Sequence, residues 1–378
     1  MKDKLIIKKL SFFAAVCMFL SAVEAALPKP VPFFRLGLAN LPIMLSFVYF
    51  SRKESVILIF LKILIQGIVS GTVFSYVFIF SLAGSLSSGL GMMGVYVLFC
   101  KKEIDGSSTL KFVSWVGISL CGGLLNNTAQ LLCGYFLMFG KSVSYIAPFM
   151  LLFSFTTSLI MGIIANWFNL HSKWFKAVGE SAPRYGAPAE GSSEAVQSTD
   201  EGMRVSKGRN TGKAPVIFFV TGLLGILLVS FAKDVILVYV LLIIFAVLTF
   251  VRRKKIRLFP SVIVILSVTI LSLLNPYGKI LFSVGTFKIT EGALTSGLMR
   301  SGKLCAMVFM SQTMVDKNLR LPGKAGLFMT LVFNIFSELT SKKMEAENKT
   351  QKREKRTDLN FIDKRLLEVW RNENVFEI

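Results

Sequence analysis

Tyr145-Ile-Ala-Pro-Phe-Met-Leu-Leu-Phe-Ser-Phe-Thr-Thr-Ser-Leu-Ile-Met-Gly-Ile-Ile-Ala-Asn-Trp-Phe-Asn169 contains no charged residue. A helix of about 20 apolar residues crosses the hydrocarbon core of a bilayer, and this run exceeds that length. Comparable runs fall near 8–27, 37–51, 55–73, 75–100 and 112–138 before it, and near 215–232, 235–251, 259–275 and 289–314 after it. The expected fold is therefore all-α and polytopic, with about ten membrane-spanning helices. The run 37–51 is short for a crossing and is expected to be tilted or only partly inserted. Composition leads to the same solvent. Hydrophobic residues make up 53% of the 378, with 34 Phe, and mean hydropathy is +0.62. A soluble fold of this size has too little interior to hide so much apolar surface.

The net charge of +21 is concentrated at the ends of apolar runs. Lys2, Lys4, Lys8 and Lys9 precede the first. Arg52 and Lys53 follow the second, Lys101, Lys102 and Lys111 the fourth, and His171, Lys173 and Lys176 the sixth. Arg252, Arg253, Lys254, Lys255 and Arg257 follow the eighth, and Lys317 and Arg320 the tenth. Basic residues on alternate loops obey the positive-inside rule, so the chain is expected in the cytoplasmic membrane with both termini cytoplasmic. A nucleic-acid binder would be polar as well as basic, so no nucleic-acid partner is expected. The start of the chain also resembles a signal peptide, with Val23-Glu24-Ala25 before Ala26; an uncleaved first helix suits the many later spans better.

Residues 177–213 interrupt the apolar pattern with a Gly-, Ser-, Ala- and Pro-rich stretch beginning at Ser181. The expected organisation is a six-helix membrane domain (1–172), a flexible cytoplasmic linker (173–213), a second membrane domain (214–340) and a charged tail (341–378). The apolar run Gly326–Leu339 is short, and the ten Lys and Arg of 341–378 place it on the cytoplasmic interface rather than across the bilayer. In the tail, Ile362, Leu366, Val369 and Trp370 recur at helical spacing, for a helix packed on its own protein or membrane, or docking a partner.

Motifs for soluble chemistry fail on context. Gly89-Leu-Gly-Met-Met-Gly94 fits a dinucleotide fingerprint, but it lies inside an apolar run rather than between a strand and a helix. Close helix packing explains it better, as it does Gly67-Ile-Val-Ser-Gly71. Gly208-Arg-Asn-Thr-Gly-Lys-Ala214 is one residue short of a P-loop and lacks the Ser or Thr after Lys. With one His, no Cys-x-x-Cys pair and no Asp-Asp pair, the chain is expected to be neither a metal site nor an enzyme, and no cofactor is implied.

Polar groups at membrane depth carry the site. Each is costly to bury unless paired or used. Glu24 closes the first run; Lys62 and Gln66 are one turn apart on the third; Asn126, Asn127 and Gln130 cluster on the fifth; Asn166 is on the sixth. Interhelical hydrogen bonding and the lining of a solute pocket both remain open for them. The segment Leu27-Pro-Lys-Pro-Val-Pro-Phe-Phe-Arg-Leu-Gly-Leu-Ala-Asn40 is stiffened by three prolines, which suits a lid over a cavity mouth. Arg35 there would meet an anionic solute or lipid headgroups, and Asn40 begins the next helix. The candidate solute-binding residues are thus Glu24, Arg35, Asn40, Asn126, Asn127 and Gln130.

That proline-rich loop with Arg35-Leu-Gly-Leu-Ala-Asn40 resembles the family called heptaprenyl diphosphate synthase component I, also the Gx transporter family, over about residues 5–170. The six-helix arrangement looks like the S components of energy-coupling-factor (ECF) uptake transporters. In those, the first extracellular loop caps the solute pocket and small residues on the first helix, matched by Ala22 and Ala26, meet a T component. The second block resembles a shortened, four-helix T component, on the stretch Gly285-Thr-Phe-Lys-Ile-Thr-Glu-Gly-Ala-Leu-Thr-Ser-Gly-Leu-Met-Arg300. It lacks a clear pair of Ala-Arg-x coupling motifs. The resemblance implies a membrane subunit that binds a small solute and works with separate ATP-binding cassette ATPase subunits. Taken by its label, it implies instead a non-catalytic subunit of a polyprenyl diphosphate synthase.

Overall fold

The computed structural model describes residues 2–26, 37–102, 108–110, 113–180, 214–253, 258–284, 287–314, 323–340, 359–372 and 375–376. Among these residues the fold is helical, apart from two short hairpins, Cys100–Lys102 with Ser108–Leu110 and Ile280–Val284 with Phe287–Thr290. In the first half the helices are α1 (Lys2–Ala26), α2 (Asn40–Ser46), α3 (Arg52–Ser70), α4 (Tyr76–Phe99), α5 (Trp115–Gly134), α6 (Val143–His171) and α7 (Lys173–Glu180). In the second they are α8 (Ala214–Phe231), α9 (Val235–Arg253), α10 (Leu258–Leu273), α11 (Glu291–Met314), α12 (Gly323–Thr340) and α13 (Leu359–Arg371).

Large apolar side chains face outward. Leu98 and Phe136 are 79% and 78% exposed, and Phe231 and Ile236 about as much. Such a surface is stable only in lipid. Among the described residues, Leu5–Glu24, Tyr76–Phe99 and the continuous stretch Trp115–His171 are long and apolar enough to cross a membrane. Of the about ten spans expected, these are the ones shown among the described residues. In the second half α8, α9 and α10 hold 18, 19 and 16 residues. At 1.5 Å per residue, the 16 residues of α10 rise only about 24 Å. The run 37–51 holds only the seven-residue α2, and α5 passes into α6 through a π turn at Tyr135–Phe139 and a 3-10 turn at Gly140–Ser142.

Small residues let the first bundle close up. A Cβ at Gly162 of α6 would lie 2.5 Å from Cα of Val116 on α5. One at Gly91 of α4 would lie 2.0 Å from Cδ1 of Leu125, so the Gly89–Gly94 pattern lies inside α4 as a packing surface. The P-loop-like stretch before α8 lies outside the described residues.

Three segments depart from the sequence reading. Residues 173–180 form a packed helix rather than the start of a linker. Trp174, Phe175 and Val178 of α7 turn one face into the core, while Lys173 and Lys176 hide that face from a hydropathy reading. The remainder of the expected linker, 181–213, lies outside the described residues. The segment 289–290, expected to begin a helix, completes a strand instead, and α11 starts at Glu291. Helix α12, expected at the cytoplasmic interface, packs along α1. Leu331, Val332, Ile335 and Leu339 enter the core cluster that holds Phe12, Phe13 and Cys17 of α1. Its C-terminal end and the N-terminal half of α1 both meet α13, so α12 and α1 run antiparallel.

α13 is seated on the protein itself. Leu366, Val369 and Trp370 are buried, but Ile362 is 47% exposed and lies off that face. Asp363 takes its place: its carboxylate accepts from Ser172 Oγ, from Lys173 N at 2.8 Å and from Trp174 N at 3.2 Å. A residue of the tail thereby caps the first turn of α7.

In the second half α11 is the central helix, touching α8, α9 and α10. The bundles meet through Val77, Phe80, Met138, Phe139 and Val143 on one side and Val268 and Leu304 on the other. Two hydrogen bonds set the angle. Ser311 Oγ, in the last turn of α11, accepts from Phe74 N at 3.1 Å, and Asn275 Nδ2, beyond the end of α10, donates to Ser142 Oγ at 2.6 Å. Phe74 and Ser142 share one end of the first bundle, the end away from Arg52. Asn275 and Ser311 sit at opposite ends of the second, roughly 30 Å apart along α11. The bundles therefore cross. The last turn of α11 thus meets the end of the first bundle remote from Arg52.

Candidate functional site

Buried polar side chains of the first bundle gather around one small cavity. It is lined by Gly37, Asn40, Leu41, Met44, Met92, Ser119, Gly123, Asn126, Ser154, Ser158 and Met161, from α2, α4, α5, α6 and the turn before α2. Its volume is about 10 Å³, room for about one water. Gly37 takes φ 82°, a left-handed conformation that lets the chain turn into α2, and its carbonyl accepts from Asn40 N at 2.9 Å.

Two polar chains end at the cavity wall. In the first, Lys62 of α3, 4% exposed, donates from Nζ to Asn40 Oδ1 at 2.6 Å and to Ser85 Oγ at 3.1 Å. Asn40 Nδ2 then donates to Ser88 Oγ at 3.0 Å. In the second, Asn127 Nδ2 donates to the Met150 carbonyl at 3.3 Å, Asn126 Nδ2 to Asn127 Oδ1 at 3.4 Å, and Gln130 Nε2 to Asn126 Oδ1 at 3.3 Å. The buried Gln130 Oε1 and Gln66 Oε1 have no hydrogen-bond partner among the described residues. Glycine again makes room: a Cβ at Gly84 would lie 2.6 Å from Asn126 Oδ1, and one at Gly123 would lie 1.8 Å from Ser158 Oγ.

Of the residues expected to bind a solute, the structure brings Asn40 and Asn126 to one cavity wall, with Asn127 and Gln130 buried behind Asn126. Glu24 is buried near the end of α1 and is not among the lining residues. Arg35 and the three prolines before it lie outside the described residues, as does the side chain of Ala26. Sequence reasoning missed the hydroxyls of Ser85, Ser88, Ser119, Ser154 and Ser158 and the thioethers of Met44, Met92 and Met161. The available signal was the small-residue run Gly84-Ser85 to Ser88-Gly89, which packs helices and also supplies hydroxyls. Among the described residues no group of His, Cys, Asp or Glu could hold a metal ion.

Every lining residue falls between Gly37 and Met161. Residues 13–168 match the family described as heptaprenyl diphosphate synthase component I. The component I match thus takes in the whole cavity and both polar chains, and stops short of α7. Residues 214–317, which form α8 to α11, match a domain of unknown function (DUF8519). No curated protein and no solved structure matches the chain. Outside both matches lie α12 and α13, the helices that return from the second half to the first bundle.

Proposed function

We propose that the component I bundle binds a small solute in the cavity between Asn40 and Asn126, and that the chain is the membrane subunit of an ECF-type uptake system powered by separate ATPase chains. The observation that supports this is the pair of oriented carboxamides at one cavity inside an otherwise apolar bundle. Burying so many polar groups is costly unless they are paired or used, and behind Asn126 the buried Gln130 Oε1 has no hydrogen-bond partner among the described residues. The second half would join the bundle to cytoplasmic ATPases, and the cell membrane is the proposed location, with the tail on the cytoplasmic side. Affinity purification of the full chain in mild detergent is expected to bring down a P-loop ATPase pair, and native mass spectrometry to find a retained small molecule. Isolation free of both overturns the reading.

The family description favours a second reading, a non-catalytic component I of heptaprenyl diphosphate synthase acting in quinone side-chain synthesis. Deleting the gene and measuring quinone tail length separates the two. An altered length supports the synthase role, and an unchanged length removes it.

A further inference from the structure

Resting on the solute-binding reading above, we infer that the cavity takes an uncharged solute that presents a hydrogen-bond donor and acceptor side by side, as a lactam, ureido or carboxamide edge does. The orientation of both wall carboxamides follows from groups that play only one role. An ammonium can only donate, so the atom of Asn40 facing Lys62 Nζ is its oxygen, and the nitrogen faces Ser88. The Met150 carbonyl can only accept, so Asn127 turns its nitrogen to it and its oxygen to Asn126. Asn126 then presents nitrogen to Asn127 and oxygen to Gln130. A carboxamide has two N–H groups and two oxygen lone pairs. Asn40 and Asn126 each use one of each in these chains and keep one N–H and one lone pair.

Both edges are locked from outside the cavity, so a ligand finds them preorganised. The rest of the wall is three serine side chains, Gly37, Gly123, Leu41 and the thioethers of Met44, Met92 and Met161. No charged side chain is among the lining residues, so a charged ligand would lose its hydration without a counter-ion in the wall. Lys62 stands behind Asn40 and acts through it. Thioethers adapt to a flat ring and contact it favourably. A cavity of about 10 Å³ admits no ring as it stands, so binding turns aside the flexible thioethers of Met44, Met92 and Met161 and leaves both carboxamide chains in place.

The test is equilibrium dialysis of the full chain in mild detergent with radiolabelled uracil and lumazine, two neutral lactams, against orotate and uridine 5′-monophosphate, anions on the same ring. Saturable binding of a lactam, with the anions at least about tenfold weaker, is expected. Asn126→Leu should weaken lactam binding by about tenfold or more. Asn40→Asp, which keeps its shape and its pairing with Lys62 but loses the N–H, should do the same in a chain that elutes as the wild type does. Anions bound as tightly as lactams, or lactam binding indifferent to Asn40→Asp, overturns the ligand class and leaves solute binding standing. Binding of none of the four also overturns the class. Native mass spectrometry of the same sample then decides the broader reading, which survives on a retained small molecule and falls without one.

Discussion

Lys62 Nζ lies 2.6 Å from Oδ1 of Asn40, so the middle of α3 holds the first turn of α2. The pair sits at the junction between a long helix anchored in the bundle and a short one at the cavity. The ammonium does not line the cavity, yet it decides which atom of Asn40 can.

Replacing it removes the group that only donates. Lys62→Met leaves Asn40 Oδ1 and Ser85 Oγ without that donor and should lower stability by about 1–3 kcal/mol. Thermal unfolding of the detergent-solubilised chain reads the loss. An unchanged midpoint would show that the ammonium holds nothing.

Closest approach predicts a second effect. Gly162→Ala places a methyl 2.5 Å from the backbone of Val116, where the neighbour cannot rotate away. α6 must shift from α5, at a cost of about 1–3 kcal/mol. Gly94→Ala, which meets open space, should leave the unfolding midpoint of the same preparation unchanged.

The tail should come loose when Asp363 is lost. Asp363→Ala removes the acceptor for Ser172 Oγ, Lys173 N and Trp174 N and should cost about 0.5–2 kcal/mol at the cap. Hydrogen exchange is expected to rise in both 173–180 and 359–371, because each holds the other. Faster exchange in only one of them would mean that the two helices do not depend on each other.

Crossing of the bundles can be read by cross-linking. With the native cysteines replaced by alanine, Phe74→Cys with Ser311→Cys should form an intramolecular disulfide under mild oxidation, seen as a redox-dependent mobility shift. Bundles standing parallel with their basic ends level would hold these residues far apart, and no shift would appear.

Much of the helical framework was legible because a bilayer imposes a one-dimensional rule: a run of apolar residues bounded by charge. α4, α6, α8 and α9 lie where that rule puts them. It failed where the partner is remote in sequence. α7 reads as linker because its apolar face is only Trp174, Phe175 and Val178, and the acid that caps it is Asp363. The charges that follow α12 point to an interface and say nothing of α1, with which its stripe at 331, 332, 335 and 339 packs. For the site, the cost of burying Asn and Gln in lipid singled out Gln66, Asn126, Asn127, Gln130 and Asn166, and Asn40 entered through the proline-rich loop before it. Serines and methionines gave no comparable signal, since they are ordinary in membrane helices.

By itself the sequence determined the solvent, the helical class and which polar side chains are too costly to bury idly, because transfer into hydrocarbon depends on residue type and run length alone. Tertiary structure decided which of those polar groups meet, which way each carboxamide points, and how the two bundles cross. Those depend on pairs such as Lys62 with Asn40, Asp363 with Trp174 and Ser311 with Phe74, whose partners lie 22 to 237 residues apart. No local pattern encodes such a distance; packing of the whole chain does.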